Sequence, residues 1–182
     1  MFAVADFSAI EARVLSWLAQ EKWRLDVFNT HGKIYEASAS LMFGVPIEQV
    51  TKGSDLRQRG KTAELALGYE GAVNAMEKMD KEKKLSKKEM YSIVALWRRA
   101  NPKIVELWAE VNEKAIECVQ TRKTKKVSCL VFEHDGTNLT IALPAGRKLY
   151  YRNPRVRPNR FGRTVIVYDG MVQSVGWTEV ET

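Results

Sequence analysis

Cysteine and histidine are scarce: the 182 residues hold two of each, Cys118 and Cys129, His31 and His134. Such counts exclude a disulfide scaffold, a Cys/His zinc site and the paired-histidine zinc protease motif. Metal chemistry in this chain would therefore fall to carboxylates holding a hard ion such as magnesium. No apolar run approaches the ~18–20 residues needed to cross a bilayer, and the first residues lack a secretory-signal pattern. Both absences argue against membrane and secreted classes. Acidic charge is in deficit too, with 22 Asp+Glu against 29 Lys+Arg, a net of +7. The deficit is uneven, since residues 1–50 hold 4 basic and 6 acidic side chains whereas residues 51–100 hold 12 and 7. A basic excess confined to part of a chain favours a polyanionic partner, through counterion release and electrostatic steering. With 45% hydrophobic and 28% charged residues, the composition is that of a globular protein able to bury a core.

The apolar run Phe2–Ala5 ending at Asp6 reads as a buried strand. Ser8 and Glu11 make an S-x-x-E capping box, and Ile10, Val14, Trp17 and Leu18 recur at helical spacing to about Ala19. A second helix is expected from Ile34 to Phe43, stopping at Gly44, and a third from Ser54 or Asp55 to Tyr69 or Gly71. Asp80 to Lys88 reads as a solvated, lysine-rich helix end and loop. Ser86 and Glu89 form another capping box, for a helix ending at Asn101-Pro102. Pro102 suits the first turn of a further helix with a buried stripe of Ile104, Leu107, Trp108, Val111, Ala115 and Cys118. Beyond Lys125 the pattern turns to short strands: Val127–Phe132, Leu139–Leu143, Lys148–Tyr151 and Thr164–Tyr168, with hairpin turns at Asp135-Gly136 and Asp169-Gly170. The expected fold class is α+β: a helical region with one strand at its N-terminus and a strand-rich C-terminal part.

Two groups of residues could carry chemistry. Asp6, at a strand end before a helix, is placed as a magnesium ligand would be, or as a plain helix-entry residue. Arg57, Lys61, Leu65 and Tyr69 recur every four residues, sharing a helix face over roughly 18 Å at about 1.5 Å per residue. Two cations followed by an apolar and an aromatic side chain suit a nucleotide, phosphates first and base last; a solvated amphipathic helix would show the same spacing. A third group is basic: Arg147, Lys148, Arg152, Arg155, Arg157, Arg160 and Arg163 lie among Tyr150, Tyr151 and Phe161. Backbone-phosphate contact and a solvated hairpin both account for it.

Together the motifs resemble a known family. DFSAIEARVLSWLA, from Asp6, resembles motif A of the family A DNA polymerases, and RQRGKTAELALGY, Arg57 to Tyr69, resembles their motif B. YEASASLMFGVP between them, and ALWRRANPKIVELW after them, are similar to the family's connecting helices, in wording nearest the bacteriophage branch. The resemblance implies a piece of a right-hand polymerase: a palm segment over residues 1–20, helical fingers over 21–125 and a basic hairpin-rich segment over 126–182. It implies template-directed transfer of dNTPs to a primer 3′-hydroxyl with two magnesium ions, in the cytoplasm of a bacterial or phage-infected cell. Implied partners are a DNA template-primer, dNTPs and the remaining polymerase segments. In that reading Asp6 and the Phe7 carbonyl face metal, and Asp6 and Lys61 are catalytic. Glu11, Arg57, Lys61, Leu65 and Tyr69 bind the dNTP, with Glu11 excluding a 2′-hydroxyl and Tyr69 bonding Glu11. Arg13, Arg147, Arg152 and Arg155 are the expected DNA contacts.

Departures from the family pattern are Leu65 in place of an aromatic, Ala9 for a common Gln, Tyr35 for His, and Glu64 and Glu70 for Asn and Gly. The third motif, His-Asp-Glu, has one partial match, His134-Asp135, followed by Gly136. The chain is therefore expected to end before the second metal-binding aspartate and to be inactive alone. Two alternatives remain: a non-catalytic nucleic-acid-binding module of polymerase descent, and a small magnesium-dependent nuclease using Asp6 and Asp135.

Overall fold

The computed structural model describes residues 5–80 and 84–182, which divide into two compact units, Met1–Glu106 and Leu107–Thr182. The expected strand at Phe2–Ala5 falls almost wholly outside the described residues, and Ala5 to Phe7 carry no regular structure.

The first unit is helical. Its elements are α1 (Ile10–Ala19), α2 (Lys22–Asn29), α3 (Ile34–Phe43), a 3-10 turn at Ile47–Gln49, α4 (Asp55–Leu67), α5 (Val73–Met79) and α6 (Lys87–Ala100). A seventh helix, α7 (Pro102–Thr121), begins here and continues into the second unit. Local signals fix several ends. Gly44 caps α3 in the left-handed conformation. The Ser54 hydroxyl accepts the Arg57 N–H at the start of α4. Ser86 and Glu89 close the expected capping box on α6, and Glu89 also meets Arg59 at 3.1 Å. Hydrogen bonds from the Ser86 backbone and hydroxyl, with Arg59, hold the Glu89 carboxyl near a pKa of about 2.

The capping box at the start of α1 does not form. Ala9 turns left-handed (φ 49°) and no side chain caps the helix; instead the Arg13 Nε donates to the Ser8 carbonyl at 2.9 Å. Glu11 is thereby freed from Ser8. Helices α2 and α5 were not expected: α2 is polar and has no side-chain cap, although Trp23, Val27 and Phe28 carry a helical period.

Helices α3 and α4 meet backbone to backbone. A Cβ on Gly60 would lie 2.3 Å from the Tyr35 carbonyl oxygen and 2.9 Å from the Ala39 Cβ. Only a residue without a side chain permits that approach. Ile34, Ala39, Leu67, Met76, Ile93 and Trp97 make the core around it.

The second unit adds a six-stranded antiparallel meander in the order β1 (Lys125–Val127), β2 (Leu130–His134), β3 (Asn138–Ala142), β4 (Lys148–Pro158), β5 (Thr164–Val172) and β6 (Gly176–Glu181). The single strand expected over Val127–Phe132 is two, broken where Ser128 takes a positive φ of 52°. The expected turn at Asp169-Gly170 is instead strand: both residues lie inside β5, paired with Glu179 and Thr178 of β6. β4 runs on to Pro158, past the expected end at Tyr151, with a register shift between Arg152 and Arg155. Phe132, Leu139 and Ile166 are fully buried on one face.

Candidate functional site

Within the first unit a pocket of about 580 Å³ opens between the start of α1 and the end of α4. Asp6, Phe7 and Glu11 line one side, and Tyr35, Leu65 and Tyr69 the other. The interval of four carries Arg57, Lys61 and Leu65 along α4, but the helix ends at Leu67 and Tyr69 lies in the turn beyond. Glu70, left-handed at φ 60°, is what stops the helix from continuing. Tyr69 is 70% exposed and lines the same pocket as Glu11, whose negative charge acts on its phenol. Partial desolvation, then the negative charge of Glu11, raises the Tyr69 pKa, so the phenol stays a donor.

The cations of α4 differ in their surroundings. Arg57 is paired through Nε with Glu36 of α3 at 2.7 Å and lies 5.6 Å from the centroid of the Tyr35 ring. Burial alone would raise the Glu36 carboxyl, but the Arg57 hydrogen bond and charge outweigh it and lower its pKa. Tyr35 is raised by burial first and by the charge of Glu64 second. Lys61 is half-buried on the same helix.

Under the pocket runs a buried polar network that no local pattern in the sequence announces. The Arg24 guanidinium, fully buried on α2, grips Glu64 of α4 through both terminal nitrogens, at 2.9 and 2.5 Å. It also donates to the Ser16 hydroxyl at 2.8 Å and to the Asn101 side-chain Oδ1 at 2.9 Å. Glu64 accepts two further bonds at 2.8 Å, from Ser38 and from the indole of Trp97. Glu64, seen in the sequence as a departure, thus has its own counter-ion 40 residues away. Arg24 and Glu64 also line the pocket.

As to metal, the donors at the mouth are of the right type, a carboxylate at Asp6 and a backbone carbonyl at Phe7, both on exposed residues. They are too few for a two-ion site. Among the described residues no group of three or more His, Cys, Asp or Glu side chains could hold a metal ion.

The model for the family described as DNA polymerase family A matches residues 1–138. The chain belongs to DNA polymerase family A. Along its whole length it is 50% identical to a DNA polymerase of Bacillus phage SP02, of which it spans 28%. Over 65 residues, 36% of the chain, it is 38% identical to a DNA polymerase I of Mycobacterium tuberculosis and 37% identical to one of Pseudomonas aeruginosa, 7% of each. The chain thus spans little more than a quarter of the curated phage relative.

Set within family A, the remaining expected residues have varied places. Arg13, an expected DNA contact, holds the Ser8 carbonyl and lies 4.5 Å over the Phe28 ring. Arg155 bridges Asp169 and Glu179 at 3.0 and 2.8 Å, and Arg152 lies over the Trp177 ring at 5.5 Å. Arg147 is exposed in the turn between β3 and β4. His134-Asp135 closes the β2–β3 hairpin, where the Asp135 carboxylate accepts the N–H groups of Thr137 and Asn138 and the Asn138 amide. Those bonds, the Asn138 amide foremost, hold its pKa at about 2. This is turn chemistry, the carboxylate serving the hairpin's own N–H groups.

Proposed function

We propose that the protein forms the nucleotide-binding part of a DNA-directed DNA polymerase, one that adds dNTPs to a primer 3′-hydroxyl on a DNA template. Its three sections are the palm segment 1–20, the fingers 21–125 and the hairpin-rich segment 126–182, acting with the remaining polymerase segments in the cytoplasm of a bacterial or phage-infected cell. The observation that carries the reading is the pocket that Asp6, Glu11, Leu65 and Tyr69 line together, with the Glu11 carboxylate close enough to act on the Tyr69 phenol.

The roles follow from the chemistry of each group. Arg57 and Lys61 hold the triphosphate, drawing off negative charge as it shifts to the leaving pyrophosphate. Arg57 must first exchange Glu36 for phosphate, a carboxylate for a more highly charged oxyanion. Leu65 packs against the base without the stacking an aromatic ring would give. The Glu11–Tyr69 pair forms a polar floor under the sugar, and a 2′-hydroxyl there would crowd it, which selects deoxynucleotides. Asp6 and the Phe7 carbonyl contribute oxygen donors for magnesium. A bound magnesium pair supplies neutralisation of the reacting phosphate and activation of the attacking hydroxyl. A second carboxylate must come from elsewhere, so the chain alone binds nucleotide without polymerising.

Titration calorimetry with magnesium–dATP tests this on the wild-type chain, with Lys61→Ala beside it. Binding that weakens at least about 10-fold in the variant is expected, the range of a charge-assisted contact to phosphate. Equal affinity in the two proteins sinks the nucleotide reading. Primer extension with an Asp6→Ala control is expected to show no incorporation by either. Incorporation that vanishes in the control would overturn the assignment of inactivity.

A further inference from the structure

In the second unit the basic segment 147–163 contains no acidic residue, yet its arginines divide into two kinds. On the strand, Arg155 and Arg157 are ion-paired and Arg152 lies over the Trp177 ring. Arg152, Asp169 and Glu179 stand in one register row across β4, β5 and β6, and Arg155 and Arg157 pair with the carboxylates of that face. Past the strand end this changes. The β4–β5 hairpin tip, Asn159-Arg160-Phe161-Gly162-Arg163, lies beyond those carboxylates. Among the described residues neither Arg160 nor Arg163 has a carboxylate partner within salt-bridge distance.

The tip is also held in shape. The Asn159 side chain accepts the N–H groups of Phe161 at 2.9 Å and Arg163 at 3.0 Å, and its amide donates to Glu181 at 3.1 Å. Backbone bonds from Asn159 to the Arg163 carbonyl and from Gly162 to the Asn159 carbonyl complete the turn. Gly162 takes the positive φ of 76° that a residue with a Cβ would resist. The result is that Phe161 is presented to solvent, 72% exposed, with the Arg160 guanidinium 4.7 Å from the ring centroid. The pinned turn thus presents a large aromatic ring outward between two exposed cations that have no carboxylate partner among the described residues.

We propose that this hairpin tip binds single-stranded DNA, Phe161 stacking on a base while Arg160 and Arg163 contact the flanking phosphates. Stacking on an aromatic face tolerates any base, and unpaired cations supply sequence-independent attraction to the backbone. Preorganisation by Asn159 removes the ordering cost that a floppy loop would incur. The choice of DNA as the strand rests on the polymerase reading; the nucleic-acid chemistry rests on the tip itself.

Fluorescence anisotropy of a labelled 20-nucleotide oligo(dT) with the full 182-residue chain tests it. Phe161→Ala should weaken binding at least about 5-fold and Phe161→Trp should restore it, as stacking demands. Arg160→Ala combined with Arg163→Ala should make the slope of log affinity against log salt shallower by about 1.4, two phosphate contacts at ~0.7 each. All side chains changed are exposed, and circular dichroism melts should match wild type. Oligonucleotide affinity that is the same in wild type and all variants, or absent in wild type, overturns the proposal. So does failure of Phe161→Trp to rescue. Titrating magnesium–dATP into the same variants separates the two ideas. Nucleotide binding that survives while oligonucleotide binding is insensitive to the tip refutes the tip alone. Oligonucleotide binding lost at the tip without nucleotide binding in any protein supports the tip and removes the nucleotide-binding reading.

Discussion

Replacing Glu64 with Gln keeps the shape of the side chain and removes its charge, which isolates what the buried pair does. In the native chain the carboxylate accepts two bonds from Arg24, one from Ser38 and one from Trp97. A glutamine offers one oxygen and one NH2, so one side of the amide must turn a donor toward donors. The Arg24 guanidinium, fully buried, would keep its charge with no anion beside it. Removing one partner of a buried pair costs about 3–5 kcal/mol, largely the penalty of the charge left behind. For a unit of this size each kcal/mol lowers the melting midpoint by about 4 °C, which gives a fall of roughly 12–20 °C. Near-UV circular dichroism would follow the melt, because Trp97 loses its carboxylate partner in the same step. Arg24→Met combined with Glu64→Leu should cost less than Glu64→Gln alone, since no orphan charge remains. A drop of under about 4 °C for Glu64→Gln would refute the reasoning, and so would a double variant worse than the single one.

Three further outcomes are expected. Gly60→Ala should destabilise the first unit by at least about 1–3 kcal/mol, because its methyl must displace the Tyr35 carbonyl; a variant that melts like wild type would contradict the close approach. Glu36→Gln should free Arg57 and tighten magnesium–dATP binding about 2- to 5-fold, the worth of a partly exposed ion pair, and weaker binding in calorimetry would remove Arg57 from the phosphate site. Asp135 should titrate at about 2 by NMR, rising toward its ordinary 3.8 in Asn138→Ala. With the folded value depressed, its contribution to stability is complete above about pH 4 and is lost as pH falls toward 2. A wild-type value near 4 would mean the turn bonds are not made.

Where neighbouring residues decided the outcome, the sequence was readable. Gly44, Ser54 and the Ser86–Glu89 pair mark helix ends through bonds spanning a few positions, and all three act as expected. The same rule failed at Ser8–Glu11 because Arg13 reaches the Ser8 carbonyl and Ala9 turns left-handed, a competition that spacing alone does not rank. Helix α2 was hidden because its most buried residue is an arginine, which breaks the apolar period; the counter-ion that permits its burial lies on α4. Asp169-Gly170 reads as a turn by composition, yet strand pairing with β6 holds it extended. At the candidate site, α1 and α4 each announce their own residues. That Glu11 and Tyr69 line one pocket is tertiary, and no local pattern announces it.

The contact at Gly60 also has a mechanical meaning. Where two helices touch through side chains, one can creep past the other by rotamer changes, but α3 and α4 touch through main chain and leave no such slack. They are therefore expected to move as one stiff unit, clamped near the middle of α4. If α4 swings when a nucleotide enters, α3 swings with it, and the bending falls on the segments that flank the pair. Residues of α3 that touch no ligand, such as Ala39, would then tune the reach of Arg57 and Lys61 as surely as a change on α4 itself.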